Sequence, residues 1–149
     1  MSAPFFVDTH SHVVPSADDG AATVEEALEL CHLAVETGTS VLFATPHVHA
    51  PWDTFPWSES RAQVFEEAFP AVRAGAAALG LDLRRGFEVF PTEVLENDPA
   101  ALRLEGTDAV LVEFPGSWLD FPGQLDLVAR AASRIATAGL VPVLAHPER

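Results

Sequence analysis

Five short apolar runs, each leading to a residue that can hold a metal ion, restrict this chain more than any other feature. Residues 5–7 run into Asp8, His10 and His12, and VLFAT at 41–45 leads to His47. LDLRRGFEVF at 81–90 places Glu88 near its end, AVLVEF at 109–114 carries Glu113, and VPVLA at 141–145 delivers His146. Between the runs the apolar residues recur at helical spacing. Val24, Ala27, Leu28, Cys31, Ala34 and Val35 predict a helix over 24–37, opened by a Thr23–Glu26 capping box and stopped at Gly38. The alanine-rich stretch 58–79 predicts a second helix, which Pro70 should kink or split and Gly80 should end. Residues 91–104 read as a short helix and a turn, and 123–139 as another helix. The stretch APWDTFPW at 50–57 reads as a loop, either one that flanks or covers a site or a packed surface loop. The order is strand, helix, strand, helix, strand, short helix, strand, helix, strand. It predicts an α/β fold whose parallel sheet is buried on both faces. Ligating residues at the C-terminal ends of successive strands match the end where (β/α) barrels build their sites.

The opening stretch FFVDTHSHVVPSADDG explains how such a site could start. In an extended segment residues i and i+2 point the same way, so His10 and His12 can offer two imidazoles to one ion. Asp18 and Asp19 then add hard oxygen donors for a second or third ion. Glu113 interrupts an otherwise apolar strand, and a buried carboxylate costs several kcal/mol unless it is paired or bound to metal. His49 could also ligate, but His47 lies nearer its strand and is preferred. Cys31 sits on the apolar stripe of the first helix and reads as core, while His32 reads as solvent-facing or structural.

Composition narrows the function classes. Net charge is −14 and the eight cationic residues are all arginines, so attraction to nucleic-acid phosphates is disfavoured. With no lysine in the sequence, a Schiff base or a carbamylated-lysine metal bridge within the chain is excluded. The one cysteine forbids an intrachain disulfide and fits a reducing compartment. No apolar run reaches the length of a membrane span, and the N-terminus lacks the basic region of a signal peptide. A cytoplasmic location without membrane insertion is expected.

The strings DTHSHVVPSADDG, ATPH, GFEVF, LVEFP and LAHPER together resemble the PHP (polymerase and histidinol phosphatase) superfamily. Within it they are most similar to the CpsB/CapC-like manganese-dependent tyrosine phosphatases of bacterial capsule and exopolysaccharide clusters. The resemblance implies a distorted (β/α) TIM-like barrel, with about its first five βα units in this chain, so that 1–149 is the N-terminal portion of a PHP-type domain. It further implies up to three Mn ions, with Fe or Zn acceptable to the same donors. One ion would take His10, His12 and Glu88; the second Glu88 as a bridge with Glu113 and His146; the third Asp19 and His47. Arg149 would bind the substrate phosphate, and a metal-bound hydroxide would be the nucleophile. The implied substrate is phosphotyrosine on a bacterial tyrosine kinase that controls capsule or exopolysaccharide synthesis. Phe114, Trp118 and the aromatic residues of 52–57 could wall a site for its ring.

Family members carry a downstream Asp-x-His that supplies further ligands, whereas this sequence ends at Arg149, so a piece of a longer protein is expected. Three other readings stand beside the phosphatase. They are a histidinol phosphatase or other PHP phosphoesterase, an amidohydrolase or TatD-type metal hydrolase, and a catalytically silent metal-binding fragment. Homo-oligomerisation is open on sequence grounds.

Overall fold

The computed structural model describes residues 5–50, 52–114 and 123–148. They fall into two compact units: residues up to Pro46 together with Trp57–Arg85, and His47–Pro56 together with residues from Gly86 onward.

The first unit contains strand β1 (Phe6–Ser11), helix α1 (Val24–Glu36), strand β2 (Thr39–Ala44) and, beyond the 50s loop, helix α2 (Glu59–Ala78) and strand β4 (Asp82–Arg85). The second contains strands β3 (His47–Val48) and β5 (Glu88–Val89), helix α3 (Pro91–Glu96), a 3-10 turn (Pro99–Leu102), strand β6 (Ala109–Glu113), helix α4 (Gln124–Thr137) and strand β7 (Val141–Ala145). Every strand pairing is parallel, in the orders β1-β2-β4 and β3-β5-β6-β7. The architecture is therefore the mixed α/β arrangement with parallel strands that the element order predicts.

Two expected strands are each divided. The run at 41–45 ends as β2, and Pro46 precedes the short β3. Proline has no N–H to give a ladder, so pairing lapses there and resumes at His47. The third run likewise divides into β4 and β5, with Gly86 between them. Pro70 does not split α2, which runs unbroken from Glu59 to Ala78. Proline removes the bond to the carbonyl four residues back, and both Pro70 and Glu66 lie on the exposed face, where water can serve that carbonyl.

Helix α1 starts as its capping box requires: Thr23 Oγ1 accepts from Glu26 N at 3.2 Å, and the Glu26 carboxylate accepts from Ala22 N at 2.8 Å. Its apolar stripe, Ala27 and the fully buried Cys31 among it, packs into the first core with Leu42, Phe65, Phe69, Val72, Leu81 and Leu83. Burying an aromatic side chain of this kind contributes about 1.5–3 kcal/mol. His32 lies outside that core, exposed and 3.7 Å from Glu36. The second core gathers Val89, Val94, Val110, Val112, Ala131 and Ile135.

Burial on both sheet faces holds for the inner strands and fails at the outer ones. Leu42, Phe43 and Ala44 are all buried, as are Val110, Leu111 and Val112. In β1, by contrast, Phe6 is 54% and Val7 48% exposed, and in β7 Val141 is 56% exposed. Among the described residues each of these strands has one partner, which leaves its outer flank to solvent.

Candidate metal centre

In the first unit, β1 carries its histidines to the end of the strand. Ser11 is fastened to β2 by its Oγ donating to Phe43 O at 2.7 Å and its N–H donating to Thr45 Oγ1 at 3.0 Å, while Thr45 N donates to Ser11 O at 2.7 Å. The β1–β2 register shifts between Asp8 and Ser11, an irregularity of the kind that re-aims side chains beside sites. His10 and His12 meet with their Nε2 atoms 3.3 Å apart. Two nitrogens each about 2.1 Å from one ion at a tetrahedral angle would lie about 3.4 Å apart, so the pair fits a shared cation.

Asp18 does not serve as the free oxygen donor expected of it. Its side chain is 1% exposed, and Oδ2 lies 3.1 Å from His12 Nδ1 and 3.4 Å from Arg61 Nη2, while Oδ1 accepts from Gly20 N at 3.1 Å. Burial alone would raise its pKa, but the hydrogen bonds from His12, Ser16 and Gly20 outweigh that and hold the carboxyl well below the usual range. Asp18 therefore orients His12, in the way a carboxylate commonly fixes a metal-binding imidazole. Asp19 is different: its side chain is 60% exposed, with Oδ1 3.5 Å from His12 Nδ1. Gly20 is required by closeness, because a Cβ there would collide with His12 O and His12 Cβ. Gly20→Ala should displace His12, cost about 1–3 kcal/mol of stability and lower the bound-metal content. Thermal melts and metal analysis of that variant check both effects.

In the second unit the register of the sheet assembles the site. His47 pairs with Glu88, Glu88 with Leu111, and Glu113 with Ala145. Side chains repeat every second residue along a strand, so His49 follows His47 and Glu113 follows Leu111 on the same face. His146 comes directly after Glu113's partner, at a φ of +34°, a conformation uncommon for a non-glycine residue. Glu88 is fully buried, with Oε1 2.7 Å from His146 Nε2 and Oε2 3.0 Å from His47 Nδ1. A carboxylate whose two oxygens face two different imidazoles has the disposition needed to bridge two ions.

Glu113 is also buried, 3.9 Å from His47 Nδ1 and in contact with His49 Nε2. His49, set second to His47 on the sequence, thus belongs to the cluster. Its signal was the repeated His-x-His spacing, the same as in His10 and His12. Burial would lower the His49 pKa, but Glu113, with Asp53 and Glu88, raises it above its ordinary value. The 50s loop brings Phe55 against the cluster. Phe55 stacks on His47 with ring centroids 5.1 Å apart and planes within 2°, whereas Trp52 is 73% exposed. Arg149 and Trp118 lie outside the described residues. The donor set is imidazole nitrogen and carboxylate oxygen, held at contact distance and largely buried, which suits Mn, Fe or Zn.

The family model for capsular polysaccharide synthesis proteins, CpsB/CapC, matches residues 6–149. The chain belongs to the CpsB/CapC family. Among CpsB/CapC relatives, tyrosine-protein phosphatase YwqE of Bacillus subtilis (strain 168) is 30% identical over 161 residues, covering 96% of this chain and 54% of the relative. Tyrosine-protein phosphatase CpsB of Streptococcus agalactiae is 29% identical over 150 residues, covering 96% of this chain and 57% of the relative. A solved structure from work on YwqE of Bacillus subtilis and CpsB of Streptococcus pneumoniae, described as metal-dependent tyrosine phosphatases, superposes with a TM-score of 0.65 at 26% identity. It covers 96% of this chain and 56% of that one. The chain spans about half the length of the relatives it matches. No helix among the described residues is long and apolar enough to cross a membrane.

Proposed function

We propose that these residues carry the metal-dependent hydrolysis of phosphotyrosine on a bacterial tyrosine kinase that regulates capsule or exopolysaccharide synthesis, in the cytoplasm. The observation that most supports this reading is Glu88, a fully buried carboxylate with one imidazole at each oxygen, in a chain matched almost end to end by the CpsB/CapC family. His10, His12 and Asp19 in the first unit, and His47, Glu88, Glu113 and His146 in the second, serve as ligands, and Mn is the ion expected. Bound cations supply Lewis-acid polarisation of the phosphoryl group and a low-pKa water. The chain's own residues do the rest. Asp18 fixes the His12 ring, Phe55 holds His47 by stacking and limits water there, and Arg149 neutralises the substrate phosphate. The finer fold reading, a distorted (β/α) barrel of the PHP type with 1–149 as its N-terminal portion, goes with this proposal.

The test pairs metal analysis with catalysis on the purified chain. Two to three ions per chain, together with Mn-dependent release of phosphate from a phosphotyrosine peptide in preference to histidinol phosphate, is the expected result. One ion or none, without turnover, would show that this chain is not itself the working phosphatase.

A further inference from the structure

We propose that His49 is a metal ligand, completing with His47 and Glu113 a cation site built wholly within the second unit, and that Asp53 is its positioning residue. The inference rests on the metal-dependent reading above and adds a ligand absent from the set that the family resemblance implies.

Three observations carry it. One ligand atom each from His47, His49 and Glu113 lies within 4.8 Å of the others, and all three residues are buried. Both ring nitrogens of His49 and Oε2 of Glu113 are buried without a properly aligned hydrogen bond, although Nε2 abuts that oxygen. Buried polar atoms are seldom left so, because each forfeits its hydration. A cation between nitrogen and oxygen would satisfy both at once.

The third observation is on the far side of the ring. Asp53 Oδ1 lies 3.6 Å from His49 Nδ1, and a histidine that ligates through one nitrogen characteristically presents its other N–H to a carboxylate. Asp53 is itself held, with Thr54 N donating to Oδ1 at 2.6 Å and Asp53 N donating to Ala50 O at 3.0 Å. Phe90, two residues beyond Glu88, flanks the His49 ring at 5.7 Å. Two imidazoles and a carboxylate select a divalent transition ion such as Mn, Fe or Zn over Ca or Mg.

The test uses the full chain stripped with chelator and titrated calorimetrically with Mn²⁺ and Zn²⁺, with Co²⁺ absorption as a second readout. Circular dichroism checks that each variant folds. His49→Ala and His49→Gln should each lose one bound ion or weaken one site by about 100-fold or more. Asp53→Asn should weaken the same site about 10- to 100-fold, while His146→Ala leaves that ion in place. Wild-type stoichiometry and affinity in the His49 variants would overturn this inference and leave the metal-dependent reading standing. Absence of any bound ion in the wild type would overturn both. Should both His49 variants fail to fold, Asp53→Asn decides, and unchanged affinity there overturns the proposal.

Discussion

Glu88→Ala should lower the proposed metal-dependent hydrolysis by a factor on the order of 10³ or more, because no other described side chain in the second unit engages two of the predicted ligands with separate oxygens. Its Oε1 meets His146 and its Oε2 meets His47. Removing it would strip ligation from two ions together and leave two imidazoles facing a void. Lewis-acid stabilisation of a phosphoryl transition state is worth several kcal/mol, and each 1.36 kcal/mol is a factor of ten in rate. The companion variant Glu88→Gln separates chemistry from packing. It keeps the volume and one oxygen, so its fold should survive while the negative charge that offsets two cations is gone. The measurements are kcat/KM on a phosphotyrosine peptide at saturating Mn, and ions bound per chain. Turnover at the wild-type level in a folded Glu88→Gln protein would remove Glu88 from the centre.

Glu113 stood out in the sequence because a carboxylate that interrupts an apolar run is costly unless it is paired or bound to metal, whereas Glu88 was picked only for its place near the end of the third run. Helix starts and stops were equally plain: Thr23 and Glu26 cap α1 as their spacing requires, and Gly38, Gly80 and Gly139 follow the helices at φ of +95°, +82° and +78°. These are local effects, written within four or five residues. What lay beyond sequence reasoning depends on pairing between distant segments. That β2 and β3 join different sheets follows from which strands they meet, so VLFATPH reads as one strand until its partners are known. The role of Asp18 was hidden for the same reason. Next to Asp19 it looks like one more donor, and only the approach of Arg61, 43 residues later, reveals a carboxylate already occupied in holding His12. His49 was discounted for lying two residues further along than His47. In a strand that is the spacing that keeps two side chains on one face, and the register with Glu88 and Leu111 turns that face toward Glu113.

Arg61→Leu should destabilise the first unit by about 3–5 kcal/mol, the range for removing one partner of a buried charge pair. Arg61 is buried. Its Nε donates to Ser16 O at 2.8 Å, its Nη2 lies 3.4 Å from Asp18 Oδ2, and its guanidinium sits 5.2 Å from the Trp57 ring centroid. Leucine can replace the packing but neither the donors nor the charge, so Asp18, 1% exposed, would be left desolvated without its guanidinium. Urea unfolding at pH 7 measures the loss as a lower midpoint at constant slope. Adding Asp18→Asn to Arg61→Leu should recover part of it, since the stranded charge is then absent, and strict additivity of the two substitutions would refute the coupling. The sign of the pH dependence gives a further check. Asp18 has a depressed folded pKa, so its contribution is present above the unfolded value of about 3.9 and is lost as pH falls through that value toward the folded one. The stability gap between wild type and Asp18→Asn should therefore narrow as pH falls below about 4, and a gap that stayed constant there would show that Asp18 carries no such contribution.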